Sequence, residues 1–151
     1  MSKEMFTGWG VRTLASDERR YNPMSYHNGS VWPHDNAIVA EGLAGKGYRR
    51  EAAALLEGFF EAASFMDFQR LPELFCGFSR QPGQQPIRYP VACLPQAWAS
   101  GAAFSLLNSV LGLELDANAP RVTLRHPVLP ASIEWLELRR LSVGNARLDL
   151  R

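Results

Sequence analysis

Glu51-Ala52-Ala53-Ala54-Leu55-Leu56-Glu57-Gly58-Phe59-Phe60-Glu61-Ala62-Ala63-Ser64-Phe65-Met66 is the stretch from which the fold is read. Its apolar residues Ala52, Leu55, Leu56, Phe59, Phe60, Ala63 and Met66 recur at i, i+3 and i+4, which makes them one buried stripe of a long helix. Upstream, Asp35 to Lys46 reads as a shorter helix, with Pro33 before it and Gly45 and Gly47 at its end. The two form a helical hairpin. Downstream, Arg70 to Pro90 carries Pro72, Pro82, Gly83, Pro86 and Pro90, too many breakers for a helix, and so long a loop in a compact domain is where chemistry is sought. A third helix runs from near Pro95 to about Gly112. Ala97, Trp98, Ala99, Ala102, Ala103, Phe104, Leu106, Leu107, Val110 and Leu111 leave it almost no polar face, so enclosure on most sides is expected.

Outward from the helices the composition changes. Residues 1–34 are rich in Gly, Asn, Ser, Pro and aromatics and read as a long ordered loop. The tail changes period to two: Val122 and Leu124 alternate with Arg121, Thr123 and Arg125. Leu141, Val143, Ala146, Leu148 and Leu150 flank Gly144-Asn145, which reads as a β-hairpin with a two-residue turn. Trp135, Leu136 and Leu138 are assigned to a further strand. The resulting organisation is residues 1–113 as a helical part and 114–151 as a β-rich tail packed on it, in one structural unit.

The chain has 151 residues, 46% of them apolar, enough to bury a core and to exclude wholesale disorder. Sixteen Lys and Arg against fifteen Asp and Glu leave a net charge of +1, with no block of like charges to track phosphates or an anionic membrane. Neither nucleic acid nor membrane is expected as a partner. Cys76 and Cys93 allow at most one intrachain disulfide, and no apolar leader follows Met1; both features point to a reducing compartment, the cytoplasm.

Three strings hold the candidate chemistry. Tyr26-His27-Asn28-Gly29-Ser30-Val31-Trp32-Pro33-His34-Asp35-Asn36 concentrates two imidazoles, two amides, a hydroxyl, two large aromatic faces and a carboxylate. That inventory suits a sugar, whose hydroxyls need donors and acceptors and whose apolar face lies on Tyr or Trp. The same residues equally serve a buried loop, with Asp35 and Asn36 favouring a helix start. The spacing of His27 and His34 matches no zinc signature, so no metal and no cofactor are expected. Arg70-Leu71-Pro72-Glu73-Leu74-Phe75-Cys76-Gly77-Phe78 places an acid among apolar neighbours, where it is either paired with Arg70 or Arg80 or employed as a base. Val91-Ala92-Cys93-Leu94-Pro95-Gln96-Ala97-Trp98 sets Gln96 and Trp98 at the mouth of the third helix.

Taken jointly with Gly8-Trp9-Gly10-Val11-Arg12-Thr13-Leu14 and the ending Leu141-Ser142-Val143-Gly144-Asn145-Ala146-Arg147-Leu148-Asp149-Leu150, these strings resemble the C-terminal part of the bacterial glycogen-debranching, amylo-α-1,6-glucosidase family. The resemblance implies a mainly α fold: a partial (α/α)6 toroid of helical hairpins with a short C-terminal antiparallel β-hairpin or small sheet. Related clans include α-glucosidases, trehalases and mannosylglycerate hydrolases. It further implies Glu73 as the general base of an inverting hydrolysis of α-linked glucosides. Tyr26, His27, Asn28, Trp32, His34 and Asp35 would line the substrate subsite, with Gln96 and Trp98 in its wall.

The chain departs from that family in length, since a full toroid needs on the order of 300 residues. The family's general acid, an Asp in a Gly-Arg-Asp context, has no counterpart among these 151 residues. One carboxylate cannot make both proton transfers of an inverting hydrolysis, so the isolated chain is expected to be inactive or nearly so. The apolar third helix is expected to be covered by self-association or by a separately encoded N-terminal half. The competing reading is a non-catalytic glucan-binding or structural fragment.

Overall fold

The computed structural model describes residues 1–116, 118–119 and 121–151. Among them, α1 (Pro33–Gly45), α2 (Arg49–Ser64) and α3 (Ala97–Leu111) form a three-helix layer in which each helix packs on the other two. All three stand where the apolar period places them. Pro33 opens α1, whose first-turn Asp35 favours the positive end of the helix dipole. Gly112 closes α3 in the left-handed region at φ 58°, as a helix-ending glycine does. Small side chains meet at the centre, with Ala40 of α1, Ala52 and Ala62 of α2 and Ala99 and Ala102 of α3 all buried. Around them Leu55, Leu56, Phe59, Leu106 and Val110 complete the core.

The mainly α, partial (α/α)6 toroid is not what this layer builds. Among the described residues only 32% are helical and 17% are strand, a mixed composition with three helices and two small sheets. No further hairpins repeat the α1–α2 pair around a ring among the described residues. In place of more helices, single residues of four extended segments lie side by side as antiparallel bridges: Arg12 beside Val31, Val31 beside Phe75, Phe75 beside Arg88. Val31 and Phe75 exchange two backbone hydrogen bonds, 2.9 and 3.0 Å. The breaker-rich stretch after α2 is thus extended backbone threaded between partners. Its prolines forbid helix and leave the carbonyls and remaining N–H groups free to bridge.

The tail forms two antiparallel pairs. β1 (Leu113–Asp116) pairs with β2 (Arg121–Leu124), Leu113 opposite Leu124. β3 (Leu138–Val143) pairs with β4 (Ala146–Leu150) about the Gly144-Asn145 turn, as the alternation indicates. Trp135 and Leu136 lie before β3 rather than in a strand. The connector between the pairs reaches the helical core through Val128 and Leu129. The third helix is less enclosed than its composition suggests: one face is buried, while Trp98 and Phe104 are 66% and 77% exposed. No described helix is long and apolar enough to cross a membrane.

Two anchors hold the N-terminal loop on α1 and α2. Gly58 of α2 lies so close to the loop that a Cβ would stand 2.4 Å from the Trp9 carbonyl oxygen. Asn36 of α1 is buried; its amide donates to Val11 O and Trp32 O, both at 2.9 Å, and accepts from Val11 N–H. Replacing it by alanine strips the Val11 peptide of both partners away from water. Asn36→Ala is expected to cost about 2–3 kcal/mol, read as a lowered urea midpoint with unchanged slope.

Candidate functional site

The Val31–Phe75 bridge is what brings the two candidate strings together. Phe75 packs against Phe59 of α2, with ring centroids 5.9 Å apart, which seats the Leu71–Phe75 segment on the helical core. Glu73, two residues earlier, is half-buried at the edge of that seat. On the other string, the loop turns back on itself at Tyr26. The Tyr26 carbonyl accepts hydrogen bonds from Ser30 Oγ (2.7 Å) and Trp32 Nε1 (3.1 Å). Trp32 Nε1 also lies 2.9 Å from Ser30 Oγ, so the indole N–H is satisfied and its ring is fixed.

From Trp32 a run of ring contacts spreads over the surface. Tyr26 meets Trp32 edge-to-face at 4.6 Å and His27 at 4.7 Å. His27 lies parallel to Trp32 at 5.9 Å, and His34 meets Trp32 at 5.4 Å and Trp98 at 4.9 Å. Asp35 joins through His34, its Oδ1 3.7 Å from Nε2. Five of the expected site residues, Tyr26, His27, Trp32, His34 and Trp98, therefore form one aromatic face, Asp35 lies at its border, and Glu73 hangs from Tyr26. Asn28 and Gln96 enter by their backbones instead. The Asn28 carbonyl accepts Asn22 N–H at 2.8 Å, and the Gln96 carbonyl at the start of α3 accepts Ser100 N–H at 3.0 Å.

Glu73 has neither of the cationic partners that its sequence neighbours offer. Arg80 pairs with Glu61 and lies over Trp9, and Arg70 lies over Phe68. Its carboxylate is held by two donors: Tyr26 Oη to Oε1 at 2.6 Å, and the Cys93 N–H to Oε2 at 3.2 Å. The Glu73 N–H in turn donates to the Cys93 carbonyl at 2.9 Å. The Tyr26 hydroxyl first, and the Cys93 peptide second, hold the carboxyl below the usual glutamate range. The same bond pushes Tyr26 up to about 12. Glu73 is thus an ionised carboxylate at neutral pH, with lone pairs remaining on both oxygens to take a proton or accept a hydroxyl.

Two contributors have no mark in the sequence. Tyr89 meets Tyr26 at 5.7 Å from the far side of the extended stretch, and Cys93 acts through its peptide, a role any residue type could fill. Cys76 and Cys93 are both free thiols. Among the described residues no three His, Cys, Asp or Glu side chains converge as a metal set would. An apolar groove of about 240 Å³ between α2 and α3, lined by Phe59, Phe60, Leu71, Ala99 and Leu106, excludes Glu73 from its lining. Gln69, Arg70 and Ser100 also line it, and none of the residues of the aromatic face does.

Residues 1–69 match the family described as a mannosylglycerate hydrolase MGH1-like glycoside hydrolase domain. No curated protein is significantly similar to the chain. The matched part is glycoside-hydrolase-like, and it contains the Gly8–Leu14 and Tyr26–Asn36 strings while stopping short of Glu73. The resemblance drawn from those strings therefore stands at the level of glycoside hydrolases, with the mannosylglycerate type matched in place of the debranching type.

Proposed function

We propose that the Tyr26–Trp98 face binds an α-linked hexoside and that Glu73 is the general base of an inverting hydrolysis. The single observation that carries this reading is a carboxylate fixed and ionised at the edge of an aromatic face. In the step, Glu73 takes a proton from a water molecule as the water oxygen bonds to the anomeric carbon. The glycosidic C–O bond breaks, and the leaving oxygen takes a proton from a carboxylic acid contributed from outside this chain. The motif strings favour an α-glucoside of the 1,6-branch type, and the family match favours an α-mannoside; the ring and linkage are for the binding data to choose.

A second reading is supported by the lowered ionisation range of Glu73 itself. A carboxylate that gives up its proton so readily is a weaker base, and it equally suits a saccharide-binding surface that performs no hydrolysis. Calorimetric titration with isomaltose, panose, maltose and an α-1,2-mannoside separates binding from no binding. Trp98→Ala, which removes a ring of the face that is 66% exposed, is expected to reduce affinity at least about tenfold, the loss of a stacking platform worth over about 1 kcal/mol. Glu73→Gln keeps shape and hydrogen-bond reach and is expected to retain affinity within a few-fold. A well-folded wild type that binds none of these sugars contradicts both readings.

A further inference from the structure

We propose that Tyr26 is the positioning residue of Glu73, holding the carboxylate through its hydroxyl, in place of the substrate-lining role that the family resemblance implies for it. The inference rests on the reading of Glu73 as the base, and it concerns what fixes that base.

Three observations carry it. The Tyr26 hydroxyl is engaged, 2.6 Å from Glu73 Oε1, and so is not a free donor for a sugar. The ring that bears it has little freedom, because edge-to-face contacts with His27, Trp32 and Tyr89 surround it and its own carbonyl is tied to Ser30 and Trp32. Glu73 itself is gripped from the opposite side, where the Cys93 segment takes its backbone N–H and gives an N–H to Oε2. A carboxylate clasped at both oxygens by donors from two different segments has one orientation. Tyr26 supplies the side-chain half of that clasp from 47 positions away in sequence.

The titratable groups that face this pair are Cys93, Tyr89, His34 and His27, the last edge-to-face with the Tyr26 ring. Cys93 and Tyr89 disfavour ionisation of Tyr26, and His34 favours ionisation of Glu73, so Cys93, Tyr89 and His34 act in the sense of keeping the phenol protonated and the carboxylate charged. The clasp is consequently complete across the whole neutral range. On the acid side it is lost as pH falls through the lowered range of Glu73; on the alkaline side it is lost as pH rises through about 12.

The test is Tyr26→Phe in the full chain, which removes one oxygen and keeps the ring. Carbon-13 NMR of labelled glutamate side chains follows Glu73, its signal identified by its loss in Glu73→Gln. The expected result is an upward move of the Glu73 midpoint in Tyr26→Phe, with sugar affinity unchanged within about twofold and release from a reactive substrate lowered, a fall in kcat at constant KM. A midpoint that stays in place in a folded Tyr26→Phe overturns the proposal, as does a rise in KM at constant kcat, the mark of a substrate contact. A second measurement needs no Tyr26 variant. The alkaline absorbance titration of the wild type should show one tyrosine ionising near 12, and Glu73→Gln should return it toward the ordinary phenol value near 10. Four tyrosines that all titrate near 10 in the wild type overturn it too. Both spectroscopic readouts are independent of sugar, so absence of saccharide binding would refute the function proposed above while leaving the clasp to be judged by its own titration.

Discussion

Gly77→Ala is expected to destabilise the protein by about 4 kcal/mol or more and to abolish saccharide binding with it. A Cβ at this position would sit 1.6 Å from the carbonyl oxygen of Gly29, well inside any non-bonded contact, with the Gly29 carbonyl carbon only 2.7 Å away. The obstacle is backbone, so no rotamer change relieves it. Neither segment can retreat cheaply. The Gly77 N–H donates to Pro23 O at 2.8 Å, while its carbonyl accepts from Arg12 Nε at 2.7 Å and Tyr21 Oη at 3.0 Å. Gly29 belongs to the Tyr26–Trp32 loop and Gly77 to the Glu73 segment, so the displacement opens the site at its seam. Gly42→Ala serves as the control, because its Cβ meets nothing within 4 Å on α1. It should be neutral or stabilising by up to about 1 kcal/mol. Urea denaturation measures both, and a Gly77→Ala midpoint equal to wild type would show that the two loops are not in this contact.

Arg12→Met is expected to cost about 3 kcal/mol, for a reason of a different kind. Arg12 is 3% exposed, yet its bonded partners are a hydroxyl and carbonyls, with no carboxylate among them. The guanidinium donates to Gly77 O, to Lys3 O (3.2 Å), to Glu4 O (3.0 Å) and to Ser79 Oγ (2.8 Å), and it lies over the Tyr21 ring. A fork of five donors satisfies several acceptors at once, which a lysine cannot do from one ammonium. Methionine keeps most of the stem's packing but leaves the Lys3 and Glu4 carbonyls and Ser79 without this partner. Arg12→Lys should therefore recover only part of the loss. Equal midpoints for Arg12→Met and wild type would remove Arg12 from the set of residues that fasten the N-terminus to the site.

These two residues also show where sequence reasoning stops. The helices are legible because burial imposes a period: the stripe from Ala52 to Met66, and Pro33, Gly45 and Gly112 as punctuation, are all local signals. The Gly144-Asn145 turn is legible for the same local reason. The bridges through Arg12, Val31, Phe75 and Arg88 involve one residue each and produce no period, so the stretch after α2 reads only as a loop and the fold as more helical than it is. Trp135 and Leu136 carry apolar side chains without strand pairing, a pattern that alternation alone misassigns.

The site divides along the same line. Tyr26, His27, Trp32, His34 and Asp35 are close in sequence, and their crowding by itself marks an aromatic, polar face. Glu73 stands out as a carboxylate among Leu, Pro and Phe. Its partnership with Tyr26 spans 47 positions, and its second donor is a peptide N–H that carries no side-chain signature. Arg70 and Arg80, the partners that proximity suggests, are taken up by Phe68 and by Glu61 with Trp9.

The measurement closest to the role of Glu73 is hydrolysis of α-glucosyl fluoride and α-mannosyl fluoride by the wild type and Glu73→Gln, followed by fluoride release. Fluoride departs without being protonated, so a chain that holds the base and lacks the acid should still turn over one of these substrates while leaving isomaltose intact. The expected result is wild-type release that falls by roughly 10²–10⁴-fold in Glu73→Gln, the range for removing a general base. The first sugar formed should be the β-anomer, because water attacks opposite the leaving group. Equal fluoride release from wild type and Glu73→Gln, or none from a wild type that binds the sugar, would contradict Glu73 as the base and leave the aromatic face as a binding surface alone.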